Sequence, residues 1–432
     1  MNFGYSEKTL EMMRKLNDFM DDHVIPRNRQ FIQEFKENGH GISFMNDLKE
    51  LAKSEGLWNM FLPSLKDDEP GTRLTNLEYA PLAEIMGKLT WASEVFNCCA
   101  PDTGNMELLH MFGTPEQKER WLKPLLNGEI RSCFGMTEPD VASSDATNVT
   151  TMIRREGDEY VINGRKWFTT GAARPETKLC IVMGKTDINA DIHKQQSMVL
   201  VPMNTPGLTV VRDLEVMNHH SHETHGEVLF RDVRVPVSNL LGEEGSGFAL
   251  AQARLGPGRI HHCMRSIGQA EMALDLMVER SLERKTFGKM LHEQGVIQEM
   301  IANSRIEIEQ ARLLVLKVAW MIDQGNVKEA RNEIAMIKVA IPRMHLNVID
   351  RAMQVFGGMG LSSDTPFPEM WTMGRALRLA DGPDEVHLRS IAKGMIKRGK
   401  DTYGQAARFL TSPTRDNESD VRRTMPGNYD LD

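Results

Sequence analysis

The sequence predicts an α+β protein whose chain runs helical, then β, then helical again, and three observations predict it. Apolar residues recur at three- and four-residue intervals through the first ~130 residues, the stripe of helices that bury one face. From there to about residue 240 the texture changes to short alternating runs punctuated by Gly and Pro, the signature of strands and turns. After GEEGSGFALA the helical interval returns and holds to about residue 410. The expected divisions are 1-130 helical, 131-240 β, 241-410 helical and a polar tail over 411-432. This succession is not the strand-helix alternation of a parallel dinucleotide-binding sheet, and no fixed-period repeat interrupts it.

Each element has its own reason. Leu10, Met13, Leu16, Phe19, Met20 and Val24 form a stripe that starts after Ser6 and is expected to end before Pro26. Phe44, Leu48, Leu51 and Ala52 repeat the pattern up to Gly56, and Thr114 stands before Pro115 and Glu116 as a helix start. TTMIRREGDEYVINGRKWFT alternates on either side of a Gly-Asp turn, and SMVLVPM, GLTVVRDLEV and EVLFRDVRVP read as further strands. IANSRIEIEQARLLVLKVAWMI and KEARNEIAMIKVAIPRMHLNVIDRAM are long helices.

Composition narrows the function. At 432 residues and 41% hydrophobic the chain can bury substantial cores. A net charge of -8 with interspersed signs removes the general attraction that holds proteins on nucleic acid, so none is expected as a partner. The five cysteines are odd in number and lack CxxC spacing, which fits a reducing compartment. The N-terminal stretch has neither the cationic start nor the apolar core of a signal peptide, and no long apolar run follows. A cytoplasmic location without membrane contact is the expectation.

Two segments carry chemistry. CFGMTEPDVASSDATN, residues 133 to 148, brings Phe134, Met136, Thr137, Ser143 and Ser144 into a loop entering the β region, offering hydroxyls and backbone N–H groups to a polar ring edge. By itself it reads first as a capped surface loop. NGRKWFTTG, residues 163 to 171, places Trp167 two residues before Thr169, so strand alternation would turn both to one face. An aromatic plane beside a hydroxyl suits a flavin.

With ERKTFGK (Glu283 to Lys289), QVFGGMG (Gln354 to Gly360) and LADGPDE (Leu379 to Glu385), these segments resemble the acyl-CoA dehydrogenase family in order and spacing over nearly the whole chain. RLADGPDEVHLRSIAK and the histidine-rich stretch before EVLFRDVRVP look most like the family member 10/11 type. The resemblance implies an N-terminal all-α domain, a middle antiparallel β-barrel or sandwich and a C-terminal four-helix bundle. It also implies FAD as cofactor, acyl-CoA as substrate, electron-transfer flavoprotein as acceptor, and a homodimer or homotetramer.

Residue roles follow from the same resemblance. Thr137, with Phe134 and Met136, would meet the flavin pyrimidine edge, Trp167 would flank the isoalloxazine, and Thr169 would bond near N5. Ser144 would face the CoA pantetheine or phosphate at the join of cofactor and substrate. Arg284 and Phe287 would reach the FAD of a neighbouring subunit, with Gln354, Gly357 and Gly358 near its adenine and pyrophosphate, and Pro383 and Glu385 touching cofactor. His225, Arg259 and Gly382 would line the substrate site. The family's usual glutamine eight residues after Phe287 is replaced here by Gly295, between Gln294 and Gln298.

Removing an α-proton from a thioester needs a carboxylate at hydrogen-bond reach while hydride leaves the β-carbon, giving a 2-enoyl-CoA. Asp381 aligns with the glutamate that opens the family's corresponding segment, one methylene shorter, with Asp384 and Glu385 next in line. The family's second base position, just before an arginine on an earlier helix, is Gly258 before Arg259. Asp381 also reads as a turn-forming Asp-Gly pair capping the next helix, and Arg259 as a salt-bridge residue. MNHHSHETHGE gathers His219, His220, His222 and His225, but the spacing matches no zinc motif, and no metal is expected. Two other readings use the same scaffold: an acyl-CoA oxidase or flavin monooxygenase, and a catalytically silent binding protein.

Overall fold

The computed structural model describes residues 4–325 and 329–410; the polar tail expected over 411-432 lies outside the described residues. Helices fill the first part: α1 (Glu7–Phe19), α2 (Asn28–Asn38), α3 (Met45–Ser54), α4 (Asn76–Gly87), α5 (Ala92–Val95), α6 (Asp102–Phe112), α7 (Pro115–Gln117) and α8 (Lys123–Leu126). The Ser6 hydroxyl accepts from Thr9 N at 3.1 Å and starts α1, whose Leu16 and Phe19 are buried with Met20 and Val24. The helical path does not end before Pro26 as expected. It widens into a π-type turn over Met20–Val24 and tightens over Ile25–Arg27, so that Pro26 occupies a first-turn position where its missing N–H costs nothing. At Thr114 the cap is reciprocal: its hydroxyl accepts from Gln117 N and the Gln117 side chain accepts from Thr114 N.

The middle region holds β1 (Arg131–Gly135), β2 (Met152–Glu156), β3 (Glu159–Thr170), β4 (Thr177–Lys185), β5 (Gln196–Pro202), β6 (Leu208–Asp213), β7 (His225–Pro236) and β8 (Leu240–Leu241). They form one sheet in the order β6-β7-β3-β2-β4-β5-β8. The β2–β3, β3–β7, β6–β7, β4–β5 and β5–β8 pairs are antiparallel, and β1 adds a parallel partner to β4. The Gly157-Asp158 turn joins β2 to β3 with Glu156 opposite Glu159, as the alternation predicts.

β4 shows why the sheet binds the two helical regions together. Leu179, Ile181 and Met183 belong to the large helical core, whereas Cys180 and Val182 point with Ile162, Val199 and Phe230 into a second core belonging to the sheet. A period of two thus sends one strand into both cores, and its near-continuous burial follows.

The C-terminal region is built from α9 (Gly247–Glu283), α10 (Gly295–Asp323), α11 (Arg331–Phe356), α12 (Phe367–Leu377) and α13 (Asp384–Asp401). α9, α10 and α11 pack on one another and α13 packs on α11, which gives four long helices with α12 beside them. A hairpin of β9 (Lys285–Thr286) and β10 (Lys289–Met290) separates α9 from α10. No helix among the described residues is long and apolar enough to cross a membrane.

Candidate active site

Asp381 sits in the short turn between α12 and α13, in the left-handed region at φ 55, followed by Gly382 at φ 99. A side chain at Gly382 would also press on His387 Nε2 at 3.0 Å, so only glycine fits. The capping alternative for Asp381 fails, because α13 opens on Pro383 without any side-chain cap. Its main-chain oxygen instead accepts from Arg259 Nε at 2.9 Å, and His387 Nε2 approaches the same oxygen at 3.3 Å. The peptide is pinned from α9 and from α13 while the carboxylate stays accessible.

The Asp381 side chain is 19% exposed, and its carboxylate faces α9. His262 Nε2 lies 3.6 Å from Oδ2, and a Cβ placed on Gly258 would lie 3.8 Å from the same oxygen. Burial raises the Asp381 pKa, but His262, Arg254, Lys338 and Arg259 act against burial and the net shift is downward. His262 itself is pushed down to about 3, by burial first and then by Arg265, so near neutral pH its ring is uncharged. Arg254 and Arg259, with Lys338, stay charged there and favour the ionised Asp381 carboxylate.

The second group surrounds the start of the sheet. Glu138, in the TEP turn, is buried, and its carboxylate accepts from the N–H and hydroxyl of both Thr150 and Thr151 and from Lys166 Nζ at 2.8 Å. Burial opposes ionisation there, yet Lys166 and the threonines bring the carboxyl down to about 2. This staple fixes the loop: Lys166 Nζ also donates to Met136 O at 2.9 Å, and Trp167 N donates to Thr137 O at 3.0 Å. Phe134, Met136 and Thr137 are half-buried beside it, and Ser144 is exposed.

Strict alternation does not carry Trp167 and Thr169 to one face. Phe168 adopts φ 46 and the β3–β7 register shifts between Lys166 and Thr169, so a bulge replaces the regular pleat. Trp167 is half-buried, Phe168 exposed and Thr169 fully buried. The Thr169 hydroxyl nevertheless has no hydrogen-bond partner among the described residues. A buried hydroxyl without a partner costs stability unless a ligand satisfies it, so the residues present fit a polar ring system docked against β3.

Arg254 links the two groups. Its guanidinium stacks over the Phe134 ring at 4.1 Å, its Nε donates to Asn105 Oδ1 at 2.8 Å, and its charge acts on Asp381. Neither Arg254 nor His262 was expected from the sequence, although the signal is there. Arg254, Gly258 and His262 repeat at four-residue spacing and so share one face of α9, turned toward Asp381.

The remaining expected residues lie elsewhere. Arg280 stacks over Phe356 at 5.3 Å, so the Arg284 end of α9 and the Gln354-Gly358 turn are neighbours. Arg284, Gln354, Gly357 and Gly358 are exposed, and a side chain at either glycine would meet nothing within 4 Å. Phe287, at φ 49 on the hairpin tip, is 98% exposed. Gly295 and Glu385 are exposed and Pro383 half-buried. The histidine segment disperses: His222 packs edge-on against Phe31, His220 pairs with Glu215 at 3.1 Å, and His225 Nδ1 meets the Thr170 hydroxyl at 3.1 Å. Among the described residues no group of three or more His, Cys, Asp or Glu is arranged to hold a metal ion.

Comparison with known proteins accounts for this arrangement. Residues 6–129, 133–233 and 245–396 match the N-terminal, middle and C-terminal domain models of acyl-CoA dehydrogenase. The chain is 54% identical over 411 residues to the probable acyl-CoA dehydrogenase FadE2 of Mycobacterium tuberculosis, covering 94% of this chain and 100% of that one. It is 52% identical to acyl-CoA dehydrogenase family member 11 of Gallus gallus over 90% of this chain, and spans 51% of that relative's length. A solved Mycobacterium abscessus structure assigned to the acyl-CoA dehydrogenases superposes with a TM-score of 0.88 at 48% identity, covering 92% of this chain and 100% of that one. The chain belongs to the acyl-CoA dehydrogenase family, oxidoreductases acting on CH–CH groups.

Proposed function

We propose that the chain is an FAD-dependent acyl-CoA dehydrogenase that converts an acyl-CoA to its 2-enoyl-CoA, with Asp381 taking the α-proton. The observation that carries this reading is the Asp381 carboxylate, ionised, partly open, and backed by a main chain fixed from α9 and α13. A thioester α-proton needs an acceptor within hydrogen-bond reach, and a pinned backbone supplies that position before substrate arrives. An acyl chain seated against Asp381 displaces its remaining water, and this desolvation makes the carboxylate a stronger base than in the free enzyme.

Trp167, Thr169 and the Phe134-Met136-Thr137 loop would hold FAD, with the Thr169 hydroxyl gaining the partner it lacks. Bound FAD would supply the acceptor for the β-hydride at N5. Ser144 is exposed where a CoA arm could reach it, and Arg259 and Gly382 shape the Asp381 turn while His225 orders the end of β7. Arg284 and Phe287, with Gln354, Gly357 and Gly358, would serve a neighbouring subunit's cofactor in a homodimer or homotetramer. The Phe287 ring, 98% exposed at the hairpin tip, is open to such a neighbour. Electron-transfer flavoprotein would reoxidise the enzyme.

The test is anaerobic titration of the FAD-loaded protein with a panel of straight-chain, branched and hydroxylated acyl-CoA esters, followed by exposure to air. Bleaching by at least one ester with slow reoxidation is expected. Fast reoxidation would mark an oxidase, bleaching by no ester a monooxygenase, and failure to retain FAD a silent scaffold.

A further inference from the structure

We propose that His262 is a positioning residue for Asp381, its Nε2–H holding the short aspartate side chain at the angle from which the carboxylate receives the substrate proton. This rests on the reading of Asp381 as the base. The first observation is the tautomer. Arg265 Nη2 lies 3.2 Å from His262 Nδ1, and because a guanidinium has only donors, Nδ1 must be the acceptor. In the uncharged ring the proton is then on Nε2, the nitrogen that faces Asp381 Oδ2 at 3.6 Å.

Arg265 is itself anchored, since Nη1 donates to Cys98 O at 3.1 Å, and Ser266 Oγ donates to His262 O at 2.9 Å. The chain of contacts therefore runs from the helical region before the sheet, through α9, to the turn after α12. At 3.6 Å the last link is longer than a hydrogen bond, as contacts at catalytic carboxylates often are before substrate closes them.

The need for such a device follows from the aspartate. A carboxylate on one methylene has a shorter reach than one on two, so an error in its torsion is not taken up by a second flexible bond. A Cβ on Gly258, one turn before His262, would lie 3.8 Å from Oδ2, so the glycine leaves that approach open and His262 is an uncharged donor that α9 brings to this oxygen. The other groups facing Asp381 are Arg254 and Arg259 on α9 and Lys338 on α11, with His387 of α13 at its main-chain oxygen. Arg254 and Lys338 are committed elsewhere, to Asn105 and to Leu377 O.

The experiment compares His262→Gln, His262→Asn and Asp381→Asn in the FAD-loaded full chain, using the ester of the panel that bleaches wild type fastest. Gln and Asn are both polar amides, but only Gln carries its N–H as far as imidazole Nε2. Flavin reduction and α-hydrogen exchange into D2O are followed against pH, with FAD content and far-UV circular dichroism confirming the fold. His262→Gln should stay within about threefold of wild type. His262→Asn should lose about tenfold or more in both rates, with the acid limb of the pH profile moved up by about one unit, because losing a donor disfavours the ionised carboxylate. Equal behaviour of Gln and Asn, or an unmoved limb in both, overturns the proposal while Asp381→Asn remains inactive. An active Asp381→Asn, or no ester that bleaches wild type, overturns it together with the reading on which it rests.

Discussion

Glu138 and Trp167 are the residues on which the proposed cofactor side of the site would depend, in different ways. Glu138 is a buried carboxylate neutralised by Lys166, and replacing it by Gln leaves a buried ammonium without its counter-ion, at a cost of about 3–5 kcal/mol. Its folded pKa of about 2 lies below the ordinary 4.5, so it stabilises the protein fully above that ordinary value and the contribution fades as pH falls toward 2. Urea unfolding from pH 7 to 3 should show this loss in wild type and a flatter profile in Glu138→Gln; parallel profiles would contradict it. Trp167→Ala removes a half-buried aromatic plane beside the unsatisfied Thr169 hydroxyl. It should weaken FAD binding about tenfold or more without altering the helical signal, and unchanged FAD affinity would make Trp167 a packing residue only. The TEP turn was legible as a loop, but its staple was not, since Lys166 lies 28 residues beyond Glu138.

At the scale of elements, legibility follows the range of the interaction that fixes each one. The Thr114 cap and the β2–β3 turn are settled by residues two or three apart, and both could be read directly. The π-type turn before Pro26 and the bulge at Phe168 could not, because each departs from the regular repeat that the side-chain pattern encodes. The motif around Asp381 marks it as the candidate base, whereas the α9 face that meets it is hidden: Arg259 reaches the Asp381 backbone across 122 residues. Four-residue spacing marks Arg254 and His262 as companions of Gly258, but nothing local says what that face meets. The β9–β10 hairpin is where the proposed subunit contact can be tested. Phe287→Ser should leave the chain folded while lowering FAD retention and shifting sedimentation toward smaller species. An unchanged sedimentation profile with full FAD content would place Phe287 outside any subunit contact.

In the whole molecule, the sheet is the joint that brings the two halves of the site together. Its strands send alternate residues into two cores, so the loop before Ala146 and the bulge in β3 are fixed relative to α9 and to the Asp381 turn. The β3 loop group and the Asp381 turn thereby meet at Arg254, which stacks over Phe134 and interacts with Asp381 through its charge. In the proposed function binding is spread over the sheet, the loop and the helices, while the chemistry rests on one carboxylate. Stopped-flow anaerobic mixing of FAD-loaded wild type and Asp381→Asn with the best acyl-CoA ester tests this most directly. The variant should retain FAD and bind the ester, and its flavin should bleach about 100- to 10,000-fold more slowly. Bleaching at the wild-type rate would show that the α-proton goes to another group and that Asp381 is only part of a turn.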